Sequence, residues 1–412
     1  MNNKYAVNKW LLLLVIAGLF LTGCSKDKTK DENKCTYSYR IYTPVYKSKA
    51  QVRASIKTTA PKNVSNPGKL FIRGSYIFLN EVNRGIHIID NANPSLPKNI
   101  GFIEIPGNVD MAVKGSTLYA DLYTDLVTLD ISNPLQVVVK KITENAFAYR
   151  QYGYARDTSQ FIVELRMKDT TITFQCDSRS NAESLASAAS IGAQFGIGGS
   201  MARFTIVNTT LYTVSSVDLN AFSISEPENP VFKSKVPLGG GIETLYPFKD
   251  KLFIGSNSGM FIYDISNPEK PSRLGQFLHA RACDPVIADD NYAFVTLRNG
   301  TQCNTFANQL DIVDIATLTS PALIKTYPMT NPHGLSKDGN TLFICDGKDG
   351  LRVYDASNVK DLKLLDHIKG FESYDVIAYN KLALVVSKDG LRQYDYSNLQ
   401  NIRLSSKIGW EK

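Results

Sequence analysis

From about residue 66 onward the chain alternates short apolar runs with tight polar joints. The runs are rich in Val, Ile, Leu, Tyr and Phe, and the joints hold Gly, Asn, Asp and Pro. Joints come too often for helices of 3.6-residue periodicity, so the runs read as strands. Several end in nearly the same phrase: "IHIIDNANP" (86–94), "LVTLDISNP" (126–134) and "MFIYDISNP" (260–268). Aligned on it, the chain has anchors at Asp90, Asp130, Ser223, Asp264, Asp314, Asp355 and Asp395, with steps of 40, 93, 41, 50, 41 and 40 residues. Around each anchor the order repeats: strand, tight turn, strand, turn, strand ending at the anchor, turn, strand.

Four short strands per unit of about forty residues is the signature of a β-propeller blade. One blade cannot cover both of its apolar faces, so the units must close into a ring. The expectation is an all-β fold with seven four-stranded blades over residues 66–412; an eight-bladed ring is the alternative. The anchor aspartates are read as structural: each accepts backbone N–H groups from the following turn, which Asn-Pro then fixes.

The long step from Asp130 to Ser223 leaves residues 146–199 as an insertion between blades two and three. Its first half, "FIVELRMKDTTITFQC" (161–176), is expected to be a hairpin, or the remnant of an eighth blade. Its second half is rich in Ser, Ala and Gly and should be flexible. Residues 35–65 precede the first blade, and "AQVRASIK" within them is expected as an edge strand covering the ring.

"GIHIIDNANP", "DLVTLDISNP", "GMFIYDISNP" and "GLRVYDASN" resemble the repeat of the LVIVD family of bacterial propeller proteins. The resemblance covers roughly residues 66–408. It implies the propeller architecture and no particular activity, since the family is largely without assigned function. No Trp-Asp ending closes the third strands, and the only tryptophans are Trp10 and Trp410.

The N-terminus adds a cellular address. Lys4 and Lys9 precede the apolar run Trp10–Leu21, too short to span a bilayer comfortably, so residues 1–23 read as a signal peptide. Leu21-Thr22-Gly23-Cys24 resembles the lipobox of bacterial lipoproteins, which implies cleavage before Cys24 and its lipidation. Residues 24–34 carry mixed charge and no apolar side chain beyond Cys24, the composition of a solvated tether. Lysine and acidic residues at this place resemble an export signal to the outer cell surface in some Gram-negative groups; the other reading is a spacer on the periplasmic face of the outer membrane.

Removing Lys4 and Lys9 lowers the formal net charge from +7 to +5. No Lys/Arg cluster points to nucleic acid. With Cys24 lipidated, Cys35, Cys176, Cys283, Cys303 and Cys345 remain. Cys283 and Cys303 flank a hairpin of repeat five and are the expected disulfide in an oxidising compartment. Cys35 with Cys176 is a second candidate pair, and Cys345 in "TLFICDG" reads as a buried thiol.

Register supplies the candidate site. The residue opening the first strand of each unit should face the mouth of the central channel, which gives Lys69, Asp110, Arg203, Glu243, Asp284, His333 and Asp375. Seven polar groups in register predict a ring at one end of the channel. It either takes a ligand or pairs within itself, since channel polar groups often satisfy one another. His279, Arg281 and Tyr374 lie beside it, the tyrosine as a stacking surface for a sugar or peptide. One histidine and scattered carboxylates lack a metal-site spacing, and no cofactor is expected.

No G-x-S-x-G, H-E-x-x-H, Walker or Rossmann pattern occurs. Two functions stand: a lipid-anchored binding or scaffolding protein, expected as a monomer with a protein, peptide or glycan partner, and a hydrolase or lyase built on Glu243, Asp284, Asp375 and His333. Convergence of two such groups within hydrogen-bond reach would favour the enzyme.

Overall fold

The structure is a computed structural model that describes residues 34–147, 159–175, 202–279, 285–299 and 308–410. Seven antiparallel sheets follow one another along the chain, spanning residues 67–104, 111–143, 204–237, 242–278, 286–328, 335–368 and 373–409. Each is a blade whose four strands lie side by side in chain order. The seven-bladed β-propeller is therefore the fold, and helix among the described residues is confined to Lys49–Arg53.

The second and third strands of each blade are buried on both faces and so read as continuous apolar runs, such as "KLFIGS" and "GMFIYD" in blade 4. Alternate side chains of one strand then serve two neighbours. In blade 4, Leu252 and Ile254 pack towards blade 3, while Phe253 packs towards blade 5. Seven such layers occur, one between each pair of adjacent blades. The last joins Leu384, Val386 and Leu391 of blade 7 to Leu70, Ile77 and Leu79 of blade 1. Gln393 and Asn91 complete that seam with a double amide contact at 2.6 and 3.1 Å.

The recurring phrase acts as expected. The carboxylates of Asp90, Asp130, Asp264, Asp314, Asp355 and Asp395 each accept the backbone N–H two residues on, at 2.8–2.9 Å. In repeat three Ser223 Oγ meets Ser225 Oγ at 3.0 Å instead. The following asparagines repeat the device: Asn133 accepts from the N–H of Leu135 and Asn358 from that of Lys360, both at 3.1 Å.

Every blade also carries a β-bulge between its third and fourth strands. In blades 1 to 6 the extra residue is turned towards the next blade. It is apolar in four blades, where Ile100, Leu274, Ile324 and Leu365 join the next layer. In blades 2 and 3 it is a lysine that reaches an acid of the following blade: Lys140 to Glu228 at 3.0 Å and Lys233 to Glu269 at 2.9 Å. The bulge thus fills interblade space and disrupts the exposed outer edge. Glycine opens several third strands for a steric reason. At Gly350 (φ +85°) a Cβ would lie 2.1 Å from the carbonyl oxygen of Ile368 on the fourth strand.

Two expectations need correction. Residues 161–176 do not form a hairpin. Gln160–Gln175 is one continuous strand, paired with Lys34–Ser48 in a separate two-stranded sheet. The Asp-Thr-Thr at its middle holds no Gly, Pro or Asn, and the β-branched run that follows keeps the backbone extended. With seven complete four-stranded sheets and this strand outside them, the eighth blade falls. The segment 50–57 is likewise not an edge strand. Ser48 caps the short helix Lys49–Arg53 through a capping box with Gln51, and only Lys57–Thr59 is extended, as a fifth strand on the outer edge of blade 1.

The chain divides into two compact units. One holds the described residues 34–43 and 165–175; the other holds the propeller with residues 44–164 and 202–410. In the first, Arg40 Nε bonds Asp169 at 2.7 Å and the rings of Tyr37 and Tyr39 stack at 6.2 Å. In the second, the start of the inserted strand is held down, with Phe161 stacked on Tyr123 at 5.0 Å. Signal peptide, Cys24 and the charged tether lie outside the described residues, as do Cys176, the flexible half of the insertion, and the Cys283–Cys303 pair. Cys345 is a fully buried free thiol, as its apolar strand implies.

Candidate functional site

The first strand of every blade lines the ring axis. Together they enclose a cavity of about 430 Å³, touched by Lys69 and Phe71 of blade 1, Asp110 of blade 2, Thr205 of blade 3, Tyr246 of blade 4, Ile287 of blade 5, Lys337 of blade 6 and Asp375 of blade 7. Of the predicted mouth residues, Lys69, Asp110, Arg203, Glu243, His333 and Asp375 lie at or near the starts of these strands, where the chain crosses from one blade to the next.

Four of them form a continuous chain across blades 1 to 4. Asp110 is buried, and its carboxylate is the hub. It accepts from Lys69 Nζ at 2.5 Å, from the backbone N–H of Met111 at 2.7 Å, and from the backbone N–H of Arg203. The Arg203 guanidinium donates to the backbone carbonyl of Glu243 at 3.4 Å. Burial pulls the Arg203 pKa down, and the charges of Asp110 and Glu243 oppose it. Lys69 to Asp110, Asp110 to Arg203 and Arg203 to Glu243 each join neighbouring blades, the first as an ion pair and the other two through the backbone.

His333, Tyr374 and Asp375 form a second group. The backbone of His333 bridges blades: its N–H donates to Cys345 at 2.7 Å and its carbonyl accepts from Thr296 Oγ1 at 2.8 Å. The imidazole is buried, contacts the Asn331 amide at 3.1 Å, and meets the Tyr374 ring edge-on at 5.6 Å. Burial, reinforced by the nearby Arg298 charge, pushes its pKa down to about 3. It is thus a neutral imidazole at neutral pH, poorly matched to acid–base work there. Asp375 is buried and accepts the N–H of Val376 at 2.7 Å. The Tyr374 phenol is half-buried, and burial with the neighbouring Glu372 raises its pKa to about 12.

His279 packs against Phe277 at 6.3 Å; Arg281 and Asp284 lie outside the described residues. Among the described residues no group of three His, Cys, Asp or Glu side chains is placed to hold a metal ion, and no helix is long and apolar enough to cross a membrane.

Sequence reasoning missed a second tier of acids. Glu81, Asp121 and Asp346 lie at or within one residue of the ends of the second strands of blades 1, 2 and 6 and are almost fully buried. Each receives consecutive backbone N–H groups from the incoming crossover. Asn66 donates to Glu81 at 2.8 Å, Asp110 to Asp121 at 2.8 Å, and Asn331 to Asp346 at 2.8 Å. These carboxylates fix the segments that carry the mouth residues. An acid at or next to the end of "YIFLNE", "TLYADL" and "TLFICD" was the available signal.

The LVIVD-repeat family model matches residues 108–143, 252–278 and 281–329, the first two falling on blades 2 and 4 and the third on blade 5 with the crossover before it. No curated protein matches the chain. Solved structures share the fold at low identity. Sqt1 of Saccharomyces cerevisiae is 9% identical, with a TM-score of 0.52 over 89% of this chain and 88% of that one. The computationally designed protein Ika8 is 8% identical, at 0.51 over 85% and 89%. PorZ, a surface component of the type-IX secretion system of Porphyromonas gingivalis, is 12% identical, at 0.51 over 85% of this chain and 39% of that one. At such identities these likenesses show the propeller and nothing further.

Proposed function

We propose that this seven-bladed propeller, whose chain carries LVIVD repeats, is a non-enzymatic binding or scaffolding protein of the bacterial outer membrane, anchored by lipid on Cys24. The observation that carries the reading is the way the mouth groups are used. Lys69, Asp110 and Arg203 hold one another and the crossover backbone. The His333 imidazole rests on an asparagine, not on a hydroxyl or a carboxylate. Such groups shape a rigid rim that a protein, peptide or glycan can dock against. A nucleophile needs a base within hydrogen-bond reach, whereas Lys69, Asp110 and Arg203 are engaged with one another and with the backbone.

The lipobox resemblance and the charged tether after it supply the anchor. Several acyl chains on one residue hold a protein stably at a bilayer, each buried CH₂ adding ~0.8 kcal/mol. Residues 24–33 then give the propeller reach, at most about 3.5 Å per residue, on the cell surface or the periplasmic face.

The test is cross-linking on intact cells, comparing the natural protein with Cys24→Ala. The natural protein is expected in the membrane fraction, joined to a defined partner. The variant is expected to be soluble, folded and no longer joined to it. Membrane retention of Cys24→Ala would contradict the anchor, and a natural protein that captures nothing at the surface or periplasmic face would contradict the scaffold.

A further inference from the structure

The two-stranded sheet formed by residues 34–43 and 165–175 has faces of unlike chemistry. On one, Ser38 Oγ meets Thr171 Oγ1 at 3.2 Å and Arg40 Nε donates to Asp169 at 2.7 Å. These two cross-strand contacts fix the register, and alternation along each strand assigns the other face. That face carries Tyr37, Tyr39 and Ile41 on one strand and Arg166, Lys168 and Ile172 on the other. The rings of Tyr37 and Tyr39 stack along it at 6.2 Å. Tyr37, Tyr39 and Ile41 are 46%, 37% and 39% exposed, and Arg166 and Lys168 are exposed as well. A two-stranded sheet thus holds an apolar, aromatic surface in water, an arrangement that is marginal by itself.

The place of this sheet in the chain and its charge point to what covers it. Its first strand begins at Lys34, so residues 24–33 keep that start within about 35 Å of Cys24 even when fully extended. We infer that the face of Tyr37, Tyr39 and Ile41 lies against the headgroup layer of the anchoring membrane and favours anionic phospholipid, an inference that rests on the lipid anchor proposed at Cys24. Tyrosine suits that depth, with an apolar ring and a hydroxyl that stays in the wet layer. The charges on this face, Arg166 and Lys168, are both positive and attract anionic headgroups. Asp169 is turned to the opposite face and tied to Arg40. The contact is weak without the acyl chains and is lost on washing, so Cys24→Ala still leaves the membrane fraction. Held by the acyl chains, the sheet meets the surface at high local concentration.

The experiment uses the full mature chain with Cys24→Ala, so no acyl chain contributes and the outcome is separate from that of the anchor test. Vesicles of equimolar phosphatidylglycerol and phosphatidylcholine are titrated to millimolar lipid and compared with vesicles of phosphatidylcholine alone. Partitioning, read by vesicle flotation, should be at least about tenfold stronger to the anionic vesicles. It should fall at least about tenfold in Tyr37→Ser/Tyr39→Ser/Ile41→Ser. A second variant, Tyr39→Trp, keeps an aromatic ring and reads the contact directly. Its emission should shift to the blue on anionic vesicles and be quenched by acyl chains brominated near the headgroup. The chain without that substitution, whose only tryptophan after residue 23 is Trp410, sets the baseline. Equal binding to both vesicle types, unchanged partitioning of the triple variant, or emission from Tyr39→Trp that ignores brominated lipid would overturn the inference. So would a dimer in sedimentation that depends on the same three side chains and does not bind vesicles, because the face would then belong to a second copy of the chain.

Discussion

Replacing Asp110 by alanine is expected to cost about 3 kcal/mol of stability, the scale of breaking a buried ion pair by removing one partner. The carboxylate is 1% exposed and serves three donors. Its loss takes away the carboxylate paired with Lys69, whose side chain is only 16% exposed. Two crossover N–H groups lose their acceptor as well. Lys69→Met alone should also destabilise, because the acid then keeps its backbone donors without its counter-charge. The double variant Lys69→Met/Asp110→Leu should recover part of the loss, giving a coupling of about 1–3 kcal/mol in a double-mutant cycle. Denaturant midpoints measure all four proteins. Single variants that lose less than about 0.5 kcal/mol would show that the mouth pair is not a structural hub.

A second large effect is expected at Glu81, as a dependence on pH. Burial alone would push this carboxyl up. Hydrogen bonds from His87 and Ser65, and from the backbone N–H groups of Asn66 and Ser65, outweigh burial and bring it down to about 2. The folded value lies below the unfolded 4.5, so the contribution is complete above about pH 4.5 and is lost as pH falls towards 2. Integrated over that window it amounts to roughly 3 kcal/mol. In Glu81→Gln the crossover at Ser65–Asn66 keeps one weaker acceptor. The variant should be less stable at pH 7 by a similar amount, and it should show a flatter stability profile between pH 5 and 2. Melting temperatures of both proteins across that range test this; parallel profiles would contradict it. The crossover that Glu81 holds is the one that brings the chain into blade 1, beside the seam with blade 7. Acid should therefore loosen the ring first at that seam.

The architecture was legible because its devices repeat. A carboxylate two residues before its N–H donor turns the same corner six times, and the forty-residue period counts the blades directly. Strands buried on both faces gave continuous apolar runs, which periodicity places without ambiguity. Elsewhere the local signal was weak or misleading. The run 161–176 read as a hairpin, yet its polar middle, Lys168-Asp169-Thr170-Thr171, holds no residue that favours a turn, and the strand's true partner lies more than a hundred residues earlier. The helix at Lys49–Arg53 depends on one capping box in an otherwise extended segment.

At the candidate site, register alone put the polar groups at the mouth. It could not say which would pair. Lys69 and Asp110 are 41 residues apart in sequence, a contact made only when two blades stand side by side. Glu81, Asp121 and Asp346 escaped notice because an acid at a strand end looks solvated until the crossover is seen folding over it.

Closure of the ring is the claim on which the cavity, the mouth and the shared layers all rest, and it is most directly measured at the seam between first and last blades. In the double variant Asn91→Cys/Gln393→Cys, a short bismaleimide should join positions 91 and 393 within a single folded chain, and peptide mass spectrometry should recover that link as a dominant product that disappears in denaturant. A folded protein in which each position carries the reagent singly, with no link between them, would mean that the blades do not meet.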